Sequence, residues 1–320
     1  MIKDNSLSTY QQEVLTGLTA PIKYLPSKLF YDTQGLILYN EIMGLPEYYL
    51  VNSDIQILKS YGKKIIQAIA MSGKELFNIV DLGAGNALKT QILLEESIKQ
   101  NLKFHYMPID IDAASLASLH HVLVQRFPKL SIETRHGDYF EILQNLKDLA
   151  HPKLILFLGS SIGNYTTEDA TQFLNKLNAS LNPGDKLLIG FDLVKDPAMT
   201  LAAYNDQMGI TKKFNLNLLT RLNNEFGADF DLQNFIHYPS YDPLNHAAQS
   251  YLISTKQQTV NLRKLHTKIE FYPWEPIHTE TSYKYQIEQI NQFAVASHFN
   301  IRENFYDDKK YFVNSLWEPK

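Results

Sequence analysis

Between residues 55 and 195, short apolar runs alternate with longer amphipathic stretches. FNIVDLG (77–83), FHYMPID (104–110), LSIETRHGD (130–138), LILFLGS (154–160) and LLIGFDL (187–193) read as buried strands. Four of them show little polar alternation, as expected of strands covered by helices on both sheet faces. The stretches 88–99, 113–127, 140–149 and 166–180 read as helices, and the last closes on Asn182-Pro183-Gly184-Asp185, a helix-stopping turn. Such alternation predicts right-handed βαβ units and a parallel sheet. After residue 196 the rhythm stops: Tyr, Asn, Phe and Asp crowd the stretch 203–231, and residues 1–54 fit no better. The first theme returns at 286–299, an amphipathic helix, followed by IRENFYDD and YFVNSLWEP as a hairpin around Asp307–Lys310. The expected architecture is an α/β domain over 55–196 and 283–320, with a Rossmann-like, mostly parallel sheet ending in an antiparallel hairpin. An α+β domain assembled from 1–54 and 197–282 accompanies it.

A chain of 320 residues can bury two ordinary cores. With 44% hydrophobic and 20% charged residues and a net charge of −4, it has the balance of a soluble globular protein and no general electrostatic footprint for nucleic acid or anionic membrane. The absence of cysteine excludes disulfides, thiolate metal sites and cysteine nucleophiles. Its ten histidines show no H-x-x-x-H or H-E-x-x-H spacing, so no metal centre is expected. MIKDNSLSTYQQEV lacks the apolar stretch of a secretory signal, and no run approaches the roughly 20 residues that span a bilayer. A cytoplasmic monomer without nucleic-acid or membrane partners is the expectation.

Candidate chemistry gathers at the strand ends. Asp81-Leu82-Gly83-Ala84-Gly85-Asn86-Ala87 lies between the first strand and the first helix, where glycines permit a tight turn and close approach of a ligand. Leu88 stands where a pyrophosphate-binding loop would want a third small residue, so the loop suits a cofactor without pyrophosphate, such as S-adenosyl-L-methionine (SAM). Asp110 ends the second strand, where a carboxylate can accept both ribose hydroxyls. Asp138, followed by Tyr139, ends the third, within reach of an adenine amino group. Either acid could instead cap a helix; three acids at three successive strand ends favour a cofactor site, as in class I SAM-dependent methyltransferases.

Several segments, in order along nearly the whole chain, resemble the histidine-specific N-α-methyltransferases of ergothioneine biosynthesis. They are Tyr31-Asp32 with Gly35, Leu45-Pro46-Glu47-Tyr48-Tyr49, the loop from Gly83 to Lys89, Gly159-Ser160-Ser161-Ile162-Gly163-Asn164, Tyr204-Asn205-Asp206, Phe214–Leu219 and Glu280-Thr281-Ser282. The resemblance implies transfer of three methyl groups to the α-amino nitrogen of histidine, giving hercynine, with 1–54 and 197–282 as the amino-acid-binding domain. It assigns cofactor binding to Gly83, Gly85, Lys89, Asp110, Asp138 and Tyr139. Asn164 and Tyr204 would hold the substrate carboxylate and Tyr31 would orient the amine, which makes Tyr31 and Asn164 the catalytic candidates. Tyr48, Glu280 and Ser282 would line the side-chain pocket, with Ser250 at the place of a family methionine. In an extended segment Glu280 and Ser282 project to one side and can serve both imidazole nitrogens; Glu280 could otherwise cap a helix starting at Tyr283.

The chain departs from the family at Gly35-Leu36 (usually Gly-Ser), at Leu50-Val51-Asn52 (usually Pro-Thr-Arg) with Asp54 for Glu, and at Ser250. These changes leave methyl transfer intact and bear on the substrate. The competing expectations are the same chemistry on another amino acid such as tryptophan, a non-catalytic SAM-binding regulator, and an NAD-dependent oxidoreductase, which Leu88 and the terminal hairpin disfavour.

Overall fold

The computed structural model describes residues 7–70, 76–137 and 139–320. In chain order its elements are α1 (Thr9–Thr19), β1 (Lys23–Tyr24), α2 (Thr33–Met43), α3 (Tyr49–Ile69), β2 (Phe77–Leu82), α4 (Thr90–Lys99), β3 (Phe104–Asp110), α5 (Ala113–Arg126), β4 (Ser131–Ile132), β5 (Arg135–His136), α6 (Tyr139–Leu146), β6 (Lys153–Phe157), α7 (Thr167–Ala179) and β7 (Lys186–Asp192). There follow α8 (Pro197–Ala202), α9 (Ile210–Phe226), β8 (Phe235–Asp242), β9 (Ala247–Ser254), β10 (Gln258–Leu262), β11 (Thr267–Phe271), β12 (Pro276–Tyr283), α10 (Ile287–Ala296), β13 (Phe299–Tyr306) and β14 (Phe312–Pro319). The chain forms two compact units. The first comprises residues up to Tyr48 together with Asp196–Tyr283, the second Tyr49–Lys195 together with Lys284–Lys320.

The break expected after residue 54 would fall inside α3; it comes before that helix instead. The reason is the apolar stripe of α3. Ile57, Leu58, Ile65, Ile66 and Ile69 recur at helical spacing and pack into one core cluster with Phe77, Ile79 and Leu93 of the second unit. Gly62 opens room on the same helix, with the Leu93 side chain 3.5 Å from where a Cβ would sit.

In the second unit the sheet order is β13-β14-β7-β6-β2-β3-β4, with β5 also paired to β3. The strands β2 to β7 pair in parallel, and β14 and β13 close the edge antiparallel. Every residue of β2, β6 and β7 is buried, which accounts for their unbroken apolar runs. The run 130–138 is not the single buried strand its sequence suggests. It breaks into β4 and β5, two residues each, because Ser131, Glu133, Thr134 and Arg135 cannot be buried on both faces and the run takes the sheet edge. Strand order reverses between β2 and β6, the place where an open α/β sheet receives its ligand at the carboxyl ends of the strands.

In the first unit β1-β12-β9-β8 form a second sheet, antiparallel except for the β1–β12 pair, and β10–β11 form a separate ribbon. The polar stretch after residue 196 thus resolves into two helices followed by a meander. Helix α9 explains its own sequence: Phe214 stacks on Phe30 at 4.4 Å, while the buried Asn215 and Asn217 reach outward to fasten other segments. Asn217 Nδ2 donates to Asp32 Oδ1 (2.7 Å), the same oxygen that takes the Gly35 N–H (2.7 Å) and so caps α2. A Cβ on Gly35 would lie 1.6 Å from the Phe30 carbonyl oxygen, so the backbones of α2 and the 3-10 turn Ser27–Phe30 meet there. Gly35→Ala is therefore expected to destabilise the protein by about 2 kcal/mol, because backbone rather than a side-chain tip must give way; urea unfolding measures it.

Candidate active site

The cofactor side lies in the second unit. Asp81 ends β2 and is buried, accepting the hydroxyls of Thr90 (2.6 Å) and Tyr106 (2.9 Å). Burial raises its pKa, with those hydroxyls opposing. Its work is to anchor both ends of the glycine loop. Gly83 (φ +70) and Gly85 (φ +51) take the left-handed backbone that the turn requires, and Ala87 shares it at φ +50. Gly83 and Ala84 N–H groups donate to the Ile109 carbonyl (2.9 and 3.2 Å). Asp110, at the end of β3, accepts the Gly85 N–H on Oδ2 (3.0 Å) and the Asp112 N–H on Oδ1 (3.1 Å). A cap reading was open for this acid; the N-cap of α5 is Asp112. The space above Gly85 is open, since a Cβ there would meet no atom within 4 Å. An open glycine backbone beside a carboxylate with an accepting edge on each oxygen fits a ribose diol, and these residues suit SAM.

Lys89 closes the loop. Its ammonium lies 3.6 Å from the fully buried Asp54 carboxylate and 2.3 Å from where a Cβ on Gly159 (φ +76) would stand. Asp54 also accepts the Gly159 N–H (3.0 Å) and Asn314 Nδ2 (2.7 Å), so an acid on α3 ties together the ends of β6 and β14 and the cofactor loop. The sequence marked Asp54 only as a departure and offered no sign of this role. Asn164 ends the 3-10 turn Ser161–Asn164 beyond β6 and is exposed. Asp138 lies outside the described residues; Tyr139 opens α6.

The amino-acid side lies in the first unit. Glu280 and Ser282 sit on β12, whose strand continues to Tyr283, and the next helix starts at Ile287 with Gln286 as N-cap. Glu280 therefore caps no helix. Glu280 pairs in register with Ser250, and Ser282 with Ala248, so these four residues share one face of the sheet. A bulge between His278 and Glu280 sets that register, and Thr279 Oγ1 pins it, its single proton shared between Asn215 Oδ1 (2.7 Å) and the Ser250 carbonyl (3.0 Å). Tyr204 follows α8, and its hydroxyl donates to Ser282 Oγ (2.7 Å), turning the serine proton away from the tyrosine. Next to it Asp206 accepts the N–H groups of Ile210 (2.9 Å) and Thr211 (2.7 Å) at the start of α9.

Tyr31, Tyr39, Tyr48 and Tyr204 form a chain of edge-on rings, with centroids 5.6 Å apart for Tyr31–Tyr39 and 6.4 Å apart for both Tyr39–Tyr48 and Tyr48–Tyr204. Burial pushes the Tyr48 hydroxyl well above its ordinary pKa, and Tyr39, Tyr204, Tyr31 and Glu280 add to the shift. Tyr48 thus remains a protonated hydrogen-bonding group at neutral pH. Tyr39 was missed in the sequence; nothing but its place in the helical repeat of α2 distinguishes it. His237 was missed as well: on β8, its Nε2 lies 3.4 Å from Ser250 Oγ.

Burial lowers the His237 pKa from 6.5 to about 4, with Asp206 opposing and Lys212 assisting. The unfolded chain then binds more protons than the folded one between those values, so stability is complete above pH 6.5 and falls as the pH drops towards 4. The expected loss at pH 4 is about 2 kcal/mol after screening by solvent. Urea titrations across that range, flattened in His237→Gln, measure it.

A parallel sheet with this strand order, an antiparallel terminal hairpin and a glycine loop fastened to an acid at the end of the neighbouring strand define a class I SAM-dependent methyltransferase. More narrowly, the chain belongs to the family described as histidine-specific, SAM-dependent methyltransferases, whose model matches residues 10–319. It is 35% identical over 287 residues to the histidine N-α-methyltransferase of Mycolicibacterium smegmatis, covering 90% of this chain and 88% of that one. It is 32% identical over 288 residues to ergothioneine biosynthesis protein 1 of Schizosaccharomyces pombe, covering 87% of this chain and 36% of the other. A 4-dimethylallyltryptophan N-methyltransferase of Claviceps purpurea is 32% identical over 205 residues, 60% of this chain and 58% of that protein.

Proposed function

We propose that this methyltransferase trimethylates the α-amino group of L-histidine to hercynine, a step of ergothioneine biosynthesis. The observation that carries the substrate is the placement of Glu280 and Ser282 on one face of β12, with the Tyr204 hydroxyl on Ser282. A carboxylate and an oriented hydroxyl on one face match the two nitrogens of an imidazole, one of which always carries a proton. When bound, SAM supplies a methyl group already activated on its sulfonium. Gly83, Gly85, Lys89 and Asp110 would hold it, with Asp138 and Tyr139 as the further contacts that family resemblance suggests.

What is left to the protein is positioning and charge. An attacking amine must be neutral, and one proton leaves for each methyl gained. Tyr31, fixed through its neighbour Asp32 to Gly35 and Asn217, is the group we assign to orient that amine. Asn164, and Tyr204 once its hydroxyl proton turns from Ser282 to the anion, are assigned to the substrate carboxylate. The tyrosine rings present π faces to the quaternary product, a fixed cation that no base can neutralise. Ser250 lines the pocket face in place of a larger apolar residue, leaving it wider and more polar.

Ser250 and the relative named for 4-dimethylallyltryptophan favour one other reading, the same chemistry on another amino acid such as tryptophan. Incubation with SAM and all common amino acids, followed by mass spectrometry, decides between them. Histidine gaining three methyl groups is the expected result; methylation of another amino acid with histidine untouched would overturn the substrate assignment and leave the reaction class standing.

A further inference from the structure

The chain passes between the two units three times, and Tyr49, Lys195 and Lys284 are the residues of the second unit at those passages. All three converge on one side chain of that unit, Asp192 at the end of β7. Tyr49 donates its hydroxyl to Asp192 Oδ2 (2.8 Å), Lys284 Nζ pairs with the same oxygen at 3.0 Å, and Lys195 Nζ pairs with Oδ1. Lys195 Nζ also donates to the Tyr49 hydroxyl (2.8 Å) and lies 4.4 Å from the centre of the Tyr49 ring. The side chains of Asp192 and Lys284 are wholly inaccessible.

Backbone pairing joins two of the three passages: Tyr285 N–H donates to the Asp192 carbonyl (2.9 Å) and Val194 N–H to the Tyr285 carbonyl (3.0 Å). In Tyr49 it is the side chain that reaches the cluster, through its hydroxyl and its ring. Burying one acid with two ammonium groups is expensive, and an apolar cluster of equal volume would hold a core at least as well. Stability alone does not account for it. The coincidence with all three passages does.

We propose that Asp192 is a positioning residue: by clasping Tyr49, Lys195 and Lys284 it fixes the three points at which the chain leaves the second unit, and methyl transfer depends on that fixation. The proposal rests on the assignment of SAM to the second unit and of the amino acid's side-chain pocket to the first. The test compares Asp192→Asn and Tyr49→Phe with the parent protein in three measurements. These are amide hydrogen exchange, SAM affinity by calorimetry, and kcat for histidine with both substrates saturating.

Asp192→Asn is expected to speed exchange at 47–50, 194–196 and 283–286 together, to leave the SAM Kd within about threefold, and to lower kcat at least about 30-fold. Tyr49→Phe removes the two hydrogen bonds of its hydroxyl, keeps both ion pairs, and is expected to loosen the 47–50 passage with a several-fold loss of kcat. It decides the matter should Asp192→Asn fail to fold. Exchange that rises only around Asp192 itself would overturn the clasp, and so would three loosened passages with unchanged kcat or a SAM Kd that weakens in step with kcat. If the parent protein methylated no amino acid, the reading of its function would fail, while the exchange measurement would still judge the clasp.

Discussion

Glu280→Ala is expected to lower kcat/KM for histidine by about a thousandfold, or about 4 kcal/mol of transition-state binding. The magnitude follows from the site. An imidazole N–H that meets a carboxylate makes a charge-assisted bond, and truncation leaves that N–H facing a pocket built from tyrosine rings with no acceptor in the carboxylate's place. Thr279 stays pinned by Asn215 and Ser282 by Tyr204, so the strand should hold its register. SAM affinity should be unchanged, because every assigned cofactor residue sits on the other unit. Glu280→Gln, which keeps an acceptor but loses the charge, should fall between parent and alanine. Methylation of tryptophan that survives Glu280→Ala, alongside histidine turnover within tenfold of the parent, would sink the assignment. Steady-state kinetics on both amino acids gives the answer.

Asp110→Asn is expected to weaken SAM binding by about a hundredfold, close to 3 kcal/mol. Both carboxylate oxygens are already engaged by backbone donors, Gly85 on one side and Asp112 on the other. Whichever way an asparagine amide is turned, its NH2 group confronts one of these N–H groups, donor against donor. The loop is then loosened at Gly85 or the start of α5 is disturbed, and the ribose loses one of its two acceptors at the same time. At saturating SAM, kcat should recover to within a few-fold, since Asp110 touches neither the amine nor the transferred carbon. Calorimetry gives the Kd; an Asp110→Asn protein that binds SAM as tightly as the parent would remove Asp110 from the cofactor site.

How far the site was legible depended on the distance over which each side chain finds its partner. The loop from Asp81 to Lys89 could be read in the sequence because its positive-φ glycines and its acids act locally or on the next strand. The tie between Tyr204 and Ser282 spans 78 residues and that between Asp32 and Asn217 spans 185. Only resemblance to a family brought those segments together beforehand. Asp54, Asp192 and His237 were opaque because their chemistry comes from burial and from partners far along the chain. An isolated Asp or His in an apolar stretch looks the same whether it faces solvent, a cap or a buried lysine.

By itself the sequence determined the layered α/β unit. Unbroken apolar runs such as β6 and β7 can satisfy their backbone and bury both faces only as inner strands of a helix-covered sheet. It also determined the antiparallel ending and the kind of cofactor that the short glycine loop admits. The tertiary structure alone decided that LSIETRHGD would break into two edge fragments, that α3 would pack with the second unit, and that Glu280 would lie on a strand opposite Ser250 instead of capping a helix. Those outcomes turn on which of several locally acceptable arrangements buries more apolar surface and pairs more polar groups. That balance is set by residues on other elements, His105 and Tyr106 for β4, Leu93 for α3 and Ser250 for Glu280, beyond the reach of any local pattern.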